Sequence, residues 1–304
     1  MNASRERCSP GSHRAEHWKL RTRTLLVGRI PLLMGVVNVT PDSFSDGGQF
    51  LHPAAAVERG LQLAADGADL LDVGGQSTRP GSQPVDADEE LRRVMPVLTA
   101  LCEQTALPVS IDTSKAVVAR EALAAGAQVL NDVTALTGDE AMPALAAETG
   151  CGVCAMHMRG TPRTMQEDPA YQDVVEDVMR YLGDRRDALI AAGVEQSRIA
   201  LDPGIGFGKT AEHNLTLLKH AWRFHALGCP LLVGHSRKRF IGEVLGDNRT
   251  DRTAGTIGVA VSLARQGVQI LRVHDVAPVR EALLLYKATS PACDLGGLFP
   301  WADG

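Results

Sequence analysis

Nowhere in its 304 residues does this chain carry an apolar stretch long enough to span a bilayer, so no membrane helix is expected. An excess of positive charge is missing too. Lys and Arg total 31 against 36 Asp and Glu, and the net charge of −5 argues against nonspecific nucleic-acid binding, although an acidic shell can still enclose a cationic pocket. Six cysteines with no apolar signal-peptide core in the first residues point to free thiols and a cytoplasmic location. Cys151 and Cys154 form a C-x-x-C, but no second pair completes a four-ligand zinc site. Residues three apart in a strand face opposite sides, so buried structural thiols are expected instead.

Three familiar site motifs are also absent, each by a small margin. Gly208-Lys209-Thr210 ends like a phosphate-binding P-loop, yet Pro203 stands where the first glycine of that motif is needed. Gly204, Gly206 and Gly208 give G-x-G-x-G rather than the dinucleotide G-x-G-x-x-G. Gly234-His235-Ser236-Arg237-Lys238 departs from a hydrolase nucleophile elbow at its last position, which argues against Ser236 as a nucleophile.

What the chain does have is eight short apolar runs, each stopping on or beside a polar residue: LLMGVVN at Asn38, DLLDVGG with Asp72, PVSID at Asp112, QVLND at Asn131 and Asp132, GVCAMH at His157, RIALD at Asp202, PLLVGHS at Ser236, and QILRVHD with Arg272, His274 and Asp275. Continuous Val/Ile/Leu runs mark strands buried on both faces, and the Ala- and Leu-rich stretches between them supply helical crossovers. Eight such units predict a single-domain α/β fold, a (β/α)8 TIM barrel over residues 30–290, with its site where the strands end. A doubly wound open sheet is the rival, disfavoured by the missing dinucleotide fingerprint. The echo of AADGADLLDVGG, LAAGAQVLNDV and ARQGVQILRVHDV supports the repeating unit, with Gly67, Gly126 and Gly267 in the left-handed position after a helix. With 44% hydrophobic and 22% charged residues the chain can bury a full core. Residues 1–29, basic and without a periodic apolar face, are expected to form a flexible extension, and residues 291–304 a short irregular tail.

The strand ends sort into two groups. Arg237, Lys238, Arg272 and His274 gather at the last two strands, the corner where such barrels frequently hold phosphate. Asp112, Asn131 and Asp202 lie elsewhere around the mouth, and buried carboxylates converging on one cavity want a donor-rich ligand. A flat heterocycle with an amino-pyrimidine edge satisfies the acids, and a diphosphate satisfies the cations. Surface pairing of the arginines, and helix capping or backbone-amide binding by Asp202, are the plainer alternatives.

Taken together and in order, Asn38-Val-Thr-Pro-Asp-Ser-Phe-Ser-Asp-Gly-Gly48, Asp72-Val-Gly-Gly-Gln-Ser-Thr-Arg-Pro-Gly81, Ile111-Asp-Thr-Ser114, Asn131-Asp132, Met156-His-Met158, Leu201-Asp-Pro-Gly-Ile-Gly-Phe-Gly-Lys209, Ser236-Arg-Lys238 and Arg272-Val-His-Asp275 resemble the dihydropteroate synthases of folate biosynthesis. The resemblance implies a transferase that condenses 6-hydroxymethyl-7,8-dihydropterin diphosphate with 4-aminobenzoate, assisted by Mg²⁺, as a homodimer and as a sulfonamide target. It implies pterin contacts from Asp112, Asn131, Met156, Asp202, Phe207 and Lys238, with Asp112, Asp202 and Lys238 catalytic. Diphosphate contacts fall to Asn38, Thr78, Arg272 and His274, with Asn38 also at the metal. Phe44, Thr78, Arg79, Pro80 and Ser236 serve the aminobenzoate side or the loops over it. Residues 39–50 and 76–86, rich in Gly, Pro, Ser and Asp, are expected to be lids. Gln76 replaces the usual Glu of that loop, and His235 replaces an apolar residue. The alternatives are a folate-to-corrinoid methyl-transfer barrel, which has no need of the Arg79-Pro80 and Ser236-Arg237-Lys238 sets, and a non-catalytic pterin-binding paralogue, which could keep Asp202 while losing loop residues that are intact in this sequence.

Overall fold

A computed structural model describes residues 14–40, 53–78, 81–161, 164–165, 169–246 and 251–290. Its centre is a ring of parallel strands: β3 (Leu32–Asn38), β4 (Leu70–Gly74), β5 (Val109–Asp112), β6 (Val129–Asp132), β7 (Gly152–Met156), β8 (Ile199–Asp202), β9 (Leu232–Val233) and β10 (Ile270–Val273). Consecutive strands pair in parallel from β3 to β8, and β10 pairs with both β3 and β9. A parallel bridge between Leu201 and Leu231, with the Leu201 amide donating to Pro230 at 2.9 Å, joins β8 to β9 and closes the ring. The crossovers are α1 (Pro53–Ala65), α2 (Ala87–Gln104), α3 (Ala116–Ala124), α4 (Met142–Thr149), α5 (Val174–Ala191), α6 (Ala211–Lys219), α7 (Arg239–Leu245), α8 (Thr253–Arg265) and α9 (Val276–Thr289). Their ends follow local chemistry. Asp86 and Asp173 accept from the first free amides of α2 and α5, and the left-handed Gly150 stops α4. None of the described helices is long and apolar enough to cross a membrane.

Strand side chains alternate between the helix layer and the barrel interior. Leu33, Leu71, Leu130, Val153, Leu201 and Leu271 join the helices in the large outer core. Their neighbours Met34, Leu70, Val129, Cys154, Ala200, Leu232 and Ile270 fill the lower interior as a separate apolar layer. Two residues further along the same inward register come Asp72, Asn131, Met156, Asp202 and Arg272; Asp112 lies beside Asn131 in the β5–β6 register, and Asn38 and His274 sit one step higher. The interior is therefore apolar below and polar at the mouth. The C-x-x-C splits as its spacing requires: Cys151 packs in the outer core, Cys154 in the lower interior, and both are free.

The lower layer is sealed by a feature the sequence reading did not anticipate. Residues 14–29 are not a loosely attached extension: β1 (His17–Lys19) and β2 (Thr24–Leu26) form an antiparallel hairpin beneath the barrel. Trp18 and Leu20 are buried in the lower interior cluster, and the Trp18 indole N–H donates to the Arg198 carbonyl at 2.8 Å. Two fully buried apolar side chains, Trp18 and Leu20, with half-buried Leu25, carry the contact, too few to show as a periodic face. Residues 1–13 and 291–304 lie outside the described residues. Replacing Trp18 by alanine opens the barrel floor and is expected to cost about 3–5 kcal/mol of stability, read by denaturant unfolding; a loss below about 1 kcal/mol would remove the hairpin from the folding core.

Candidate active site

The polar layer is knit around Arg272. Its Nε donates to Asp72 Oδ2 at 2.7 Å and its Nη2 to Asp112 Oδ2 at 3.0 Å, while the Asn131 side-chain amide donates to the same Asp72 oxygen at 3.0 Å. Asp72 is fully buried, and Asp112 keeps 14% of its side chain exposed toward the mouth. Burial, then the Asp72 charge, push the Asp112 carboxyl up to about 7 against the opposing pull of Arg272. Burial works to lower Arg272, but the Asp72 and Asp112 carboxylates outweigh it and raise the guanidinium above its ordinary value.

A second group forms on the β8 side. Asp202 is buried, its Oδ1 accepts from the Gly204 amide at 2.7 Å, and burial raises it to about 6. Lys238, the N-cap of α7, holds its ammonium 4.2 Å above the Phe207 ring, a cation–π contact. Burial and the Arg272 charge lower Lys238 to about 8 despite the nearby Asp202 and Asp112. Met156, Met165 and Phe207 form a small apolar cluster against this lysine.

Phe207 is presented by residues 202–209, whose G-x-G-x-G serves close packing rather than a dinucleotide. Gly204 has φ +68°, and a Cβ there would sit 1.9 Å from the His157 carbonyl; Gly208, at φ +66°, would meet the Arg159 carbonyl at 2.6 Å. Lys209, whose motif resembled a P-loop, faces no mouth. Its buried Nζ donates to the Gly204 and Phe207 carbonyls, each at 2.9 Å, and to His157 Nδ1 at 2.9 Å, clamping the segment on β7. Burial, then Lys209, lower His157 to about 3, so its ring is neutral.

Ser236 is buried, and its Oγ accepts from the His274 amide at 3.2 Å and lies 3.1 Å from His274 Nδ1. His235 is a core residue whose Nε2 lies 3.1 Å from the Thr256 carbonyl; burial lowers it to about 4. Arg237 leaves the cationic corner: at φ +58° it turns its fork onto Asp275, half exposed. Gln76 accepts from Lys115 at 2.7 Å, and Lys115 also pairs with buried Glu90. Asn38 and Thr78 are half-buried at the ends of β3 and the β4 loop. Phe44, Arg79 and Pro80 fall outside the described residues, as do residues 41–50 of the first expected lid; of the second, only residues 79 and 80 do.

The structure thus gathers Asp112, Asn131 and Arg272 in one network, Asp202, Lys238, Phe207 and Met156 in a second, and Ser236 with His274 in a third. Asp72 was legible only as a strand residue, because nothing in its spacing distinguishes an acid that faces a ligand from one that faces another side chain.

A closed barrel with paired acids, one amide, two cations and an aromatic wall at the carboxyl ends of its strands defines an enzyme class, and comparison with known proteins names it. The pterin binding enzyme family matches residues 34–274. Dihydropteroate synthase of Escherichia coli K12 is 45% identical over 262 residues, 86% of this chain and 93% of that protein. The structure of Xanthomonas albilineans dihydropteroate synthase with 4-aminobenzoic acid superposes with a TM-score of 0.85 at 46% identity, covering 91% of this chain and all of that one. Yersinia pestis dihydropteroate synthase, in a sulfonamide drug complex, gives 0.84 at 43% identity, covering 90% and 98%. This chain belongs to the pterin binding enzymes and, within them, to the dihydropteroate synthases.

Proposed function

We propose that the mouth condenses 6-hydroxymethyl-7,8-dihydropterin diphosphate with 4-aminobenzoate, giving 7,8-dihydropteroate and diphosphate. The observation that carries this reading is the pairing of buried Asp202 and near-buried Asp112 with Lys238 above Phe207. A flat ring beside Phe207 and Met156 meets acceptors along its amino-pyrimidine edge. The aromatic amine is neutral near pH 7 and attacks the methylene carbon; the C–N bond forms as the C–O bond breaks, diphosphate leaves with the electron pair, and the amine proton passes to solvent. Asp112 and Asp202 stabilise positive charge developing on the ring, while Lys238 and the outer edge of Arg272, with His274, face the departing anion. Positioning supplies much of the rate.

Mg²⁺ is proposed to arrive on the diphosphate. Asn38 offers one neutral oxygen at the mouth, and no cluster of three acids, histidines or cysteines among the described residues could cage a cation, which fits an ion that keeps water and phosphate as its main ligands. When bound it neutralises charge on the leaving group. Thr78, Arg79, Pro80, Phe44 and Ser236 are proposed for the aminobenzoate side. A cytoplasmic homodimer is proposed too, supported by four free cysteines among the described residues and by exposed Val244 and Leu245 on α7 and Leu284 and Leu285 on α9.

The test is product mass and diphosphate release, with pterin diphosphate, 4-aminobenzoate and Mg²⁺ each omitted in turn. Product requiring both substrates is expected, and its absence with every component present would overturn the reading. A sulfonamide should raise the apparent KM for 4-aminobenzoate without changing kcat; a falling kcat at saturating 4-aminobenzoate would place the drug elsewhere.

A further inference from the structure

Asp72 takes no part in the scheme above, yet it is the most connected acid of the polar layer. It lies at the middle of β4, fully buried. One oxygen, Oδ2, accepts from both Asn131 Nδ2 at 3.0 Å and Arg272 Nε at 2.7 Å; the other, Oδ1, has no partner among the described residues. A side-chain amide can turn over and exchange its donor and acceptor ends with almost no change of shape. Facing a carboxylate oxygen, Asn131 must present its NH2 inward, which leaves its own Oδ1 for whatever occupies the mouth. The same oxygen holds Nε of Arg272, so the planar guanidinium can reach Asp112 with Nη2 only in the orientation observed.

We propose that Asp72 is a positioning residue for pterin recognition: it fixes the Asn131 amide with its carbonyl toward the ring and docks Arg272 onto Asp112. The inference rests on the pterin reading. Its consequence is selectivity. A carbonyl facing the mouth accepts from the ring's amino edge, whereas an overturned amide would offer a donor there and suit a ring whose 2-amino group is replaced by an oxo group. The network also sets charge. Asp112 is faced by Asp72 on β4, Asp132 on β6, Glu90 on α2, Arg272 on β10 and Lys238 at the start of α7, and Asp72 is the largest of the repulsive charges.

Two substitutions separate these roles. Asp72→Leu keeps the volume and removes the acceptor; Asp72→Asn keeps an acceptor and removes the charge. Binding of 6-hydroxymethylpterin and of 6-hydroxymethyllumazine, its 2-oxo counterpart, is measured by calorimetry across pH 5–9. The wild type should prefer the pterin; if it binds neither or both equally, the pterin reading itself fails. Asp72→Leu should lose at least tenfold of that preference, and Asp72→Asn should restore most of it. Lower pH should be needed to weaken pterin binding in Asp72→Asn, because removing a negative neighbour lowers the Asp112 carboxyl. Unchanged preference in Asp72→Leu, or an unmoved pH midpoint in Asp72→Asn, overturns the proposal. Should neither variant fold, the wild type still decides: the Asn131 side-chain NH2 signals, assigned by their loss in Asn131→Ser, should stay in place when the pterin is added, and a large shift would mean that this group turns to the ligand.

Discussion

Asp112→Asn is expected to lower kcat about 10²- to 10³-fold while leaving the KM for 4-aminobenzoate within about threefold. The size follows from removing a preorganised charge from the place where ring charge develops. The split follows from geometry, because Asp112 belongs to the Arg272 network on β5 whereas the aminobenzoate groups are assigned to Ser236 and the loops. A pH signature accompanies it. Asp112 is raised to about 7, mainly by burial. Only the ionised form accepts freely from a donor-rich ring, so kcat/KM for the pterin substrate should climb through pH 7, where this carboxyl is half ionised, before any loss on the basic side. In Asp112→Asn that limb should move down toward about 6, where Asp202 titrates. Steady-state kinetics from pH 5 to 9 checks both. Turnover within threefold of wild type would reject the role, and an unmoved acid limb would assign it to another group.

Lys238→Met is expected to cut kcat/KM by about 10³-fold, the loss of a charge aimed at the leaving group in a partly desolvated site. Lys238 is lowered to about 8 by burial and by Arg272, so its charged form declines as pH passes 8. The wild type should therefore lose activity on the basic side, and the methionine variant, which keeps the stem against Phe207, should show no basic limb. Lys238→Arg should recover little, since a planar fork does not sit as a point charge 4.2 Å above the Phe207 ring. A loss under tenfold in Lys238→Met, or a basic limb that survives it, would move the catalytic charge to Arg272 and His274.

Both expectations concern residues that the sequence pointed to before any coordinates. The reason is the period of the strand. Once eight apolar runs are recognised as buried parallel strands, every second residue faces the interior, and the last inward residues form the mouth. Asn38, Asp112, Asn131, Met156, Asp202, Arg272 and His274 all fall on that register, so their convergence follows from spacing alone. Lys238 and Phe207 lie on loops, where no period applies: Lys238 stood out as a cation just after the seventh strand and took its pterin role from the resemblance to the dihydropteroate synthases, whereas Phe207 was reached through that resemblance alone.

Chain order, strand pattern and the inward register were determined by the sequence itself, because burial on both faces and a period of two are local properties that any reader of residues can apply. The partners of those residues were decided only in three dimensions. Arg272 was expected to face diphosphate, yet its Nε and Nη2 are spent on Asp72 and Asp112, which lie 200 and 160 residues away in the chain. Arg237 left the cationic corner for Asp275, Lys209 became a clamp on carbonyls, and the basic segment before the barrel became a hairpin plug through Trp18. Each of these depends on which charge or apolar surface happens to be adjacent after closure of the ring. Coulomb interaction and burial act on distance in space, and separation along the chain carries no record of it.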